Sequence, residues 1–172
     1  MTGRYPIVRH RELRPRWRLS AWRERRHPLI AGPGQVLVHV VDGAYTTETA
    51  DPARCTALTL VDVRPDRRVS ARWEVTASGS DWDFPVTVTF RCTVVDPIVI
   101  VRSRWDVQFV LAQDHRPWSL MRTHPVGDED GLRLALTALL QARPAHQDID
   151  GVRVELAEVS VGPARFVVVD EA

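Results

Sequence analysis

The residues of this chain that could do chemistry are six histidines, two cysteines, a short run of serine and aspartate, and a basic N-terminal stretch with tryptophans set among its arginines. Nucleophilic catalysis needs a serine, cysteine or threonine beside a base that a third group orients, and the sequence holds no GxSxG elbow, HExxH pair or phosphate-binding glycine loop. The histidines, His10, His27, His39, His115, His124 and His146, are dispersed. The nearest thing to a constellation is His115 and His124 flanking Trp118, with Asp114 and Asp128 close enough in sequence to complete a site in space. His39 sits alone in an apolar run, which fits a satisfied core or sheet-edge histidine. Cys55 and Cys92 each fall inside a strand pattern with no metal-ligand spacing, so both read as small buried hydrophobes. In the run from Ser78 to Asp83, Asp81 and Asp83 lack the further oxygen ligands that calcium takes, and the run reads as a turn. Catalytic residues, metal ligands and cofactor-binding residues are therefore none on this reading.

The basic stretch carries the clearest chemistry. Met1 to Pro28 holds nine arginines against Glu12 and Glu24, a net charge of +7, while the rest of the chain has 14 arginines against 20 acidic residues, a net charge of −6. Arg14, Arg16, Arg18, Arg23, Arg25 and Arg26 alternate with Trp17 and Trp22. Guanidinium groups meet lipid phosphate while indole rings lie at headgroup level, so the pattern suits a bilayer interface. It equally suits nucleic-acid phosphates with base stacking, or an arm whose tryptophans dock on a neighbouring subunit or on its own domain. Of these, nucleic acid is the least favoured partner. Leu13, Trp17 and Ala21 share a helical face, and Pro15 restricts any helix to start at that residue, so a short helix from about Pro15 to Arg25 is expected.

Composition bounds what such residues can be mounted on. At 172 residues, 44% hydrophobic and 26% charged, the chain suits a soluble globular domain able to bury roughly 70% of its unfolded surface. No apolar run approaches the roughly 20 residues that cross a bilayer, and the arginine-rich start, interrupted by Pro6, Pro15 and Pro28, is unlike a signal peptide. A cytoplasmic protein is expected. All 23 basic residues are arginine, which reads first as the codon bias of a GC-rich genome.

The elements that must position these residues are mostly strands. Gln35 to Val41, Cys55 to Val63 and Val69 to Thr76 read as strands, the last with Val69, Ala71, Trp73 and Val75 on one face. Asp42-Gly43 and Arg64-Pro65-Asp66 are turns. The organising stretch is Pro85 to Pro97, where Val86, Val88, Phe90, Cys92 and Val94 alternate with Thr87, Thr89, Arg91 and Thr93. Ile98 to Val101 extends the sheet or opens a helix. Asp106 caps a stripe of Val107, Val110 and Leu111, which Pro117 limits. Asp128 to Asp130 open a helix whose stripe is Leu132, Ala135, Leu136, Leu139 and Leu140, stopped by Pro144. Val152 to Val161 is a strand whose alternation slips by one at Ala157, and Phe166 to Val169 a last one. The division expected is a basic arm over residues 1–33 and an α+β domain over 34–172, a mostly antiparallel sheet partly wrapped by two or three helices. Because core periods begin at Gln35, that domain is expected to fold without Met1 to Pro28.

The order of strand hairpins, a strand ending in Asp-Pro, two helices and a Gly-Val-x-Val strand resembles the SPFH or band 7 superfamily of stomatins, prohibitins and flotillins. Val86 to Pro97 (VTVTFRCTVVDP) and Gly151 to Val161 (GVRVELAEVSV) carry the resemblance. It implies a non-catalytic, homo-oligomeric scaffold at the cytoplasmic face of a membrane, peripheral to its anionic surface. Family members usually carry a membrane hairpin or lipid anchor where this chain has its arginine and tryptophan arm. The other reading is a cytoplasmic protein–protein interaction domain with no membrane role.

Overall fold

Between Trp82 and Val94 the alternation read from the sequence becomes one long strand with Phe84, Val86, Val88, Phe90, Cys92 and Val94 all buried. The computed structural model describes residues 5–13, 27–51, 54–142 and 149–166. In chain order their elements are β1 (Ile7–Glu12), β2 (Gln35–Val41), β3 (Ala44–Thr46), β4 (Cys55–Asp62), β5 (Arg67–Thr76), β6 (Trp82–Val94), α1 (Pro97–Ser103), α2 (Val107–Ala112), a 3-10 turn (Arg116–Leu120), α3 (Glu129–Ala142), β7 (Val152–Val161) and β8 (Arg165–Phe166). The class is α+β, with two mostly antiparallel sheets and three helices among the described residues. By contacts the described residues form two compact units, one within Met1–Asp66, Thr93–Val107 and Asp148–Arg153, the other within Arg67–Cys92, Gln108–Gln147 and Val154–Ala172. No helix among the described residues is long and apolar enough to cross a membrane.

The first unit is built on the sheet β1-β4-β2-β3. Asp42 and Gly43, both at positive φ (50° and 82°), make the tight turn that returns β2 onto β3. β4 runs between β1 and β2, and from Leu58 to Asp62 every residue is buried. On one face Leu58, Leu60 and Cys55 pack with Leu13, Leu29 and Leu37. Across the other lies α1, with Ile100 and Val101 buried and the helix set against β2, β3 and β4. β1 is the main departure from the sequence reading. Ile7–Glu12 falls inside the expected arm, yet it is hydrogen-bonded along β4, from Ile7 opposite Val61 to Glu12 opposite Ala57. Leu13 continues the pairing, its amide donating to the Thr56 carbonyl at 2.8 Å, so core-forming sequence begins well before Gln35.

Ile98 to Val101 resolves as helix for a local reason. The Asp96 carboxylate accepts from the amides of Ile98 (2.9 Å) and Val99 (3.1 Å), and Pro97 takes a first-turn position that needs no donor. The same junction explains the glycine of the later strand. The Gly151 carbonyl accepts from the amides of Val95 and Asp96 at 2.9 and 3.2 Å, at a φ of +83°, and a Cβ there would lie 2.8 Å from the Asp96 carbonyl oxygen. Only glycine combines that φ with that approach. The Asp-Pro and Gly-Val stretches that stand out in the sequence thus meet as one joint.

In the second unit β6 pairs with β5, β7 and β8. The β5–β6 register sets Val69 opposite Phe90, Ala71 opposite Val88, Trp73 opposite Val86 and Val75 opposite Phe84, so the apolar sets of both strands share one buried face. Burial of each valine or phenylalanine side chain of this set is worth about 1.5–3 kcal/mol. The Trp73 indole nitrogen donates to the Ala112 carbonyl at 3.1 Å, which satisfies the one polar atom of that side chain. The edge of β5 is closed by donors from outside the sheet: Gln108 Nε2 reaches the Ser70 carbonyl at 3.5 Å and the Arg122 amide the Thr76 carbonyl at 2.7 Å. Blocked carbonyls discourage edge-to-edge pairing. Leu132, Leu136 and Leu140 of α3 are buried as its stripe requires, and the burial alternation of β7 shifts by one across Ala157 and Glu158.

Candidate functional site

Antiparallel pairing within the first sheet brings together polar residues that lie far apart in the chain. His10 and Glu12, two apart on β1, share a face, and the register sets them opposite Thr59 and Ala57 of β4, with Val40 of β2 and Tyr45 of β3 continuing the row. Val101 and Arg104, at the end of α1, close the row from the helix side and leave a cleft of about 400 Å³. Thr59 is 1% exposed, and its hydroxyl lies 2.8 Å from His10 Nδ1. That bond satisfies a buried polar atom and fixes the imidazole, with Nε2 unengaged among the described residues. Arg104 occupies the left-handed region (φ 54°) as the C-cap of α1. The Arg102 guanidinium lies 5.7 Å from the Tyr45 ring centroid, a cation–π contact tying the helix to β3.

The opposite face of the same sheet holds His39 and Cys55. The Cys55 thiol is fully buried, donates to the Asp51 carbonyl at 3.4 Å, and lies 3.7 Å from His39 Nδ1. Such a pair becomes a nucleophile when the imidazole is charged and stabilises a thiolate. Here burial lowers the His39 pKa, which favours the neutral ring, and the thiol stays a packed core atom. Cys92 is likewise buried, its pKa pushed up to about 12 by desolvation, and neither cysteine is in a disulfide. Both match the sequence reading of small buried hydrophobes.

In the second unit the groups that could have formed a site fall into three contacts, two of them between members of the expected constellation. Asp114 holds the Arg116 guanidinium in a fork, with Nε at 3.0 Å from both carboxylate oxygens. The His115 ring stacks at a tilt on Trp118, 4.7 Å between centroids. His124 Nδ1 lies 2.7 Å from Asp128 Oδ2, while Asp128 Oδ1 accepts from the Gly131 amide as the cap of α3. No group of three or more metal-ligating side chains occurs among the described residues. Asp81 ends the β5–β6 turn and Asp83 lies in β6 opposite Thr76, and the Ala77 amide closes the turn on the Trp82 carbonyl at 2.8 Å.

Arg14, Arg16, Trp17, Arg18, Trp22, Arg23, Arg25 and Arg26, singled out in the sequence, lie outside the described residues, as does the helix expected from Pro15 to Arg25. The two ends of that segment are described. Leu13 before it and Leu29 after it are buried in one cluster with Cys55, Leu58 and Leu60, and the Arg11 guanidinium donates to the His27 carbonyl at 3.0 Å. The basic segment therefore departs from and returns to one place on the first sheet. The cleft gave no signal in the sequence: its polar residues come from three strands and a helix end, and His10 and Thr59 are 49 positions apart. No family model matches the chain, and no curated protein matches it.

Proposed function

We propose that this protein is a non-catalytic scaffold that associates with an anionic surface, a membrane face above all, through the basic segment of residues 14–26. The observation that carries the reading is the anchoring of both ends of that segment: Leu13 and Leu29 are packed into the same core cluster. Six arginines against Glu24 are thereby tethered twice to a folded unit. A tethered segment loses less chain entropy on binding than a free tail, and each basic residue near an anionic membrane contributes on the order of 1 kcal/mol. The resemblance of Val86 to Pro97 and Gly151 to Val161 to the SPFH or band 7 superfamily adds the expectation of a homo-oligomer at the cytoplasmic face of the plasma membrane. Sedimentation with acidic and neutral liposomes tests the reading. The protein is expected to pellet with acidic vesicles at low salt and be released as salt rises. Replacing Arg14, Arg16, Arg18, Arg23, Arg25 and Arg26 by glutamine should abolish pelleting, while Trp17→Ala with Trp22→Ala should weaken it less. A wild type that ignores acidic vesicles at low salt overturns it.

A second reading, a protein–protein interaction domain without a membrane role, draws on the second unit. Trp82 and Phe166, 40% and 60% exposed, pack edge to face at 6.2 Å on neighbouring strands. Exposed aromatic pairs of this kind favour protein contacts.

A further inference from the structure

Glu12 and Arg104 line one cleft, from β1 and from the end of α1, yet they form no ion pair with each other, and neither has a side-chain partner among the described residues. Opposite charges facing a shared space without meeting are the arrangement that a ligand carrying both charges completes. Between them the floor is apolar, made by Val40 and Ala57 with Val101 on the helix side. At about 400 Å³ the cleft lies at the small end of ligand sites, which run roughly 300–1,000 Å³. Two further polar groups converge there: His10, held by its Nδ1 contact with Thr59, and Tyr45, whose ring is fixed under Arg102. Two other groupings of reactive side chains among the described residues are sealed or already engaged. Cys55 is sealed, and the acidic groups around His115 and His124 are committed to Arg116 and the cap of α3.

We propose that this cleft binds a free α-amino acid with an apolar side chain, recognised as a zwitterion. Glu12 takes the ammonium, Arg104 takes the carboxylate through its planar fork, and the side chain lies over Val40 and Ala57. His10 Nε2 and the Tyr45 hydroxyl supply the remaining hydrogen bonds. A ligand with a single charge would meet only one of the two side chains, whereas a zwitterion meets both. The site is independent of the surface-binding reading, since it uses none of residues 14–26.

Titration calorimetry without lipid tests it, with L-phenylalanine, L-leucine and L-methionine as probes. Saturable binding of at least one of them is expected. For that probe, the amide, which lacks the carboxylate, and the N-acetyl derivative, which lacks the ammonium, should each bind about tenfold more weakly. Arg104→Gln should bind the zwitterion about as weakly as wild type binds the amide, and should no longer distinguish the two. Glu12→Gln should do the same for the N-acetyl derivative. Both residues are exposed, so both variants should unfold at the wild-type temperature, which a thermal transition verifies. No saturable binding of any of the three probes overturns the proposal. So does binding that both variants leave unchanged.

Discussion

β4 and β6 are both interior strands of their sheets, and they bury their residues in different ways. In β6 burial alternates from Phe84 to Val94, with Thr87, Thr89 and Arg91 turned to the less covered face. In β4 burial is continuous from Leu58 to Asp62, because α1 lies on one face and the Leu13–Leu29 cluster on the other. A strand covered twice must satisfy its polar residues internally, and β4 does: Thr59 through His10, and Asp62 through the backbone amide, Nε and terminal nitrogen of Arg64 at 3.1, 2.9 and 2.6 Å. The one-faced strand builds a core and little else. The two-faced strand draws polar partners from distant sequence, and the cleft forms beside it.

The largest effect that would break this comparison is removal of one cover. Deleting Met1–Pro28 takes away β1, its whole ladder with β4, the His10 partner of Thr59 and the Leu13 side chain. Loss of a cooperative transition is expected, the opposite of what the late start of the core periods implies. Replacing residues 14–26 alone by a neutral linker should preserve it, because Leu13, Leu29 and β1 stay. Circular dichroism melts of the two variants distinguish these outcomes, and a cooperative melt for the longer deletion would mean that β1 is dispensable.

A finer test compares neighbouring residues. In β6, Phe90→Ala should cost about 3–5 kcal/mol, whereas Thr89→Ala, which loses only its cross-strand contact with Ser70 at 3.1 Å, should cost about 1 kcal/mol or less. In β4 the neighbours Leu60 and Val61 should both be costly, about 2–5 kcal/mol for Leu60→Ala and about 1.5–3 for Val61→Ala. Denaturant unfolding measures all four. A tolerant residue between two costly ones in β4 would show that one of its faces is less tightly covered than the geometry indicates.

The same difference decides how much could be read in advance. β5, β6 and α3 were legible, because one buried face writes a period of two or of 3.6 directly into the residue types. β2 and β4 were legible as apolar runs. β1 was not, since Arg9, His10 and Arg11 fill its middle, and an edge strand beside a two-faced strand needs few apolar residues of its own. β3, three residues long, is too short for any period. The helix at Ile98 to Val101 rests on the capping carboxylate of Asp96, at a junction held by the Gly151 carbonyl from far along the chain. The cleft was illegible for a more basic reason: nothing local marks Glu12 and Arg104 as facing one space.

The smallest effect concerns His39, set opposite Leu58 of β4 and beside the Cys55 thiol. Burial lowers its pKa below the ordinary value of 6.5. Between the folded pKa and 6.5 the unfolded chain therefore holds a proton on this residue that the folded chain does not. Stability should be fully present above about pH 6.5, fall as pH drops through that window, and level off below the folded pKa. His39→Gln, which keeps a polar side chain but cannot titrate, should remove this part of the slope and leave whatever slope other groups impose. Unfolding free energies measured on both proteins at a series of pH values on either side of 6.5 give the comparison. Converging curves as pH falls, with the variant losing less, are expected. Curves that stay parallel would mean that His39 is as well solvated folded as unfolded, and that this face of β4 is open to water at its Cys55 end.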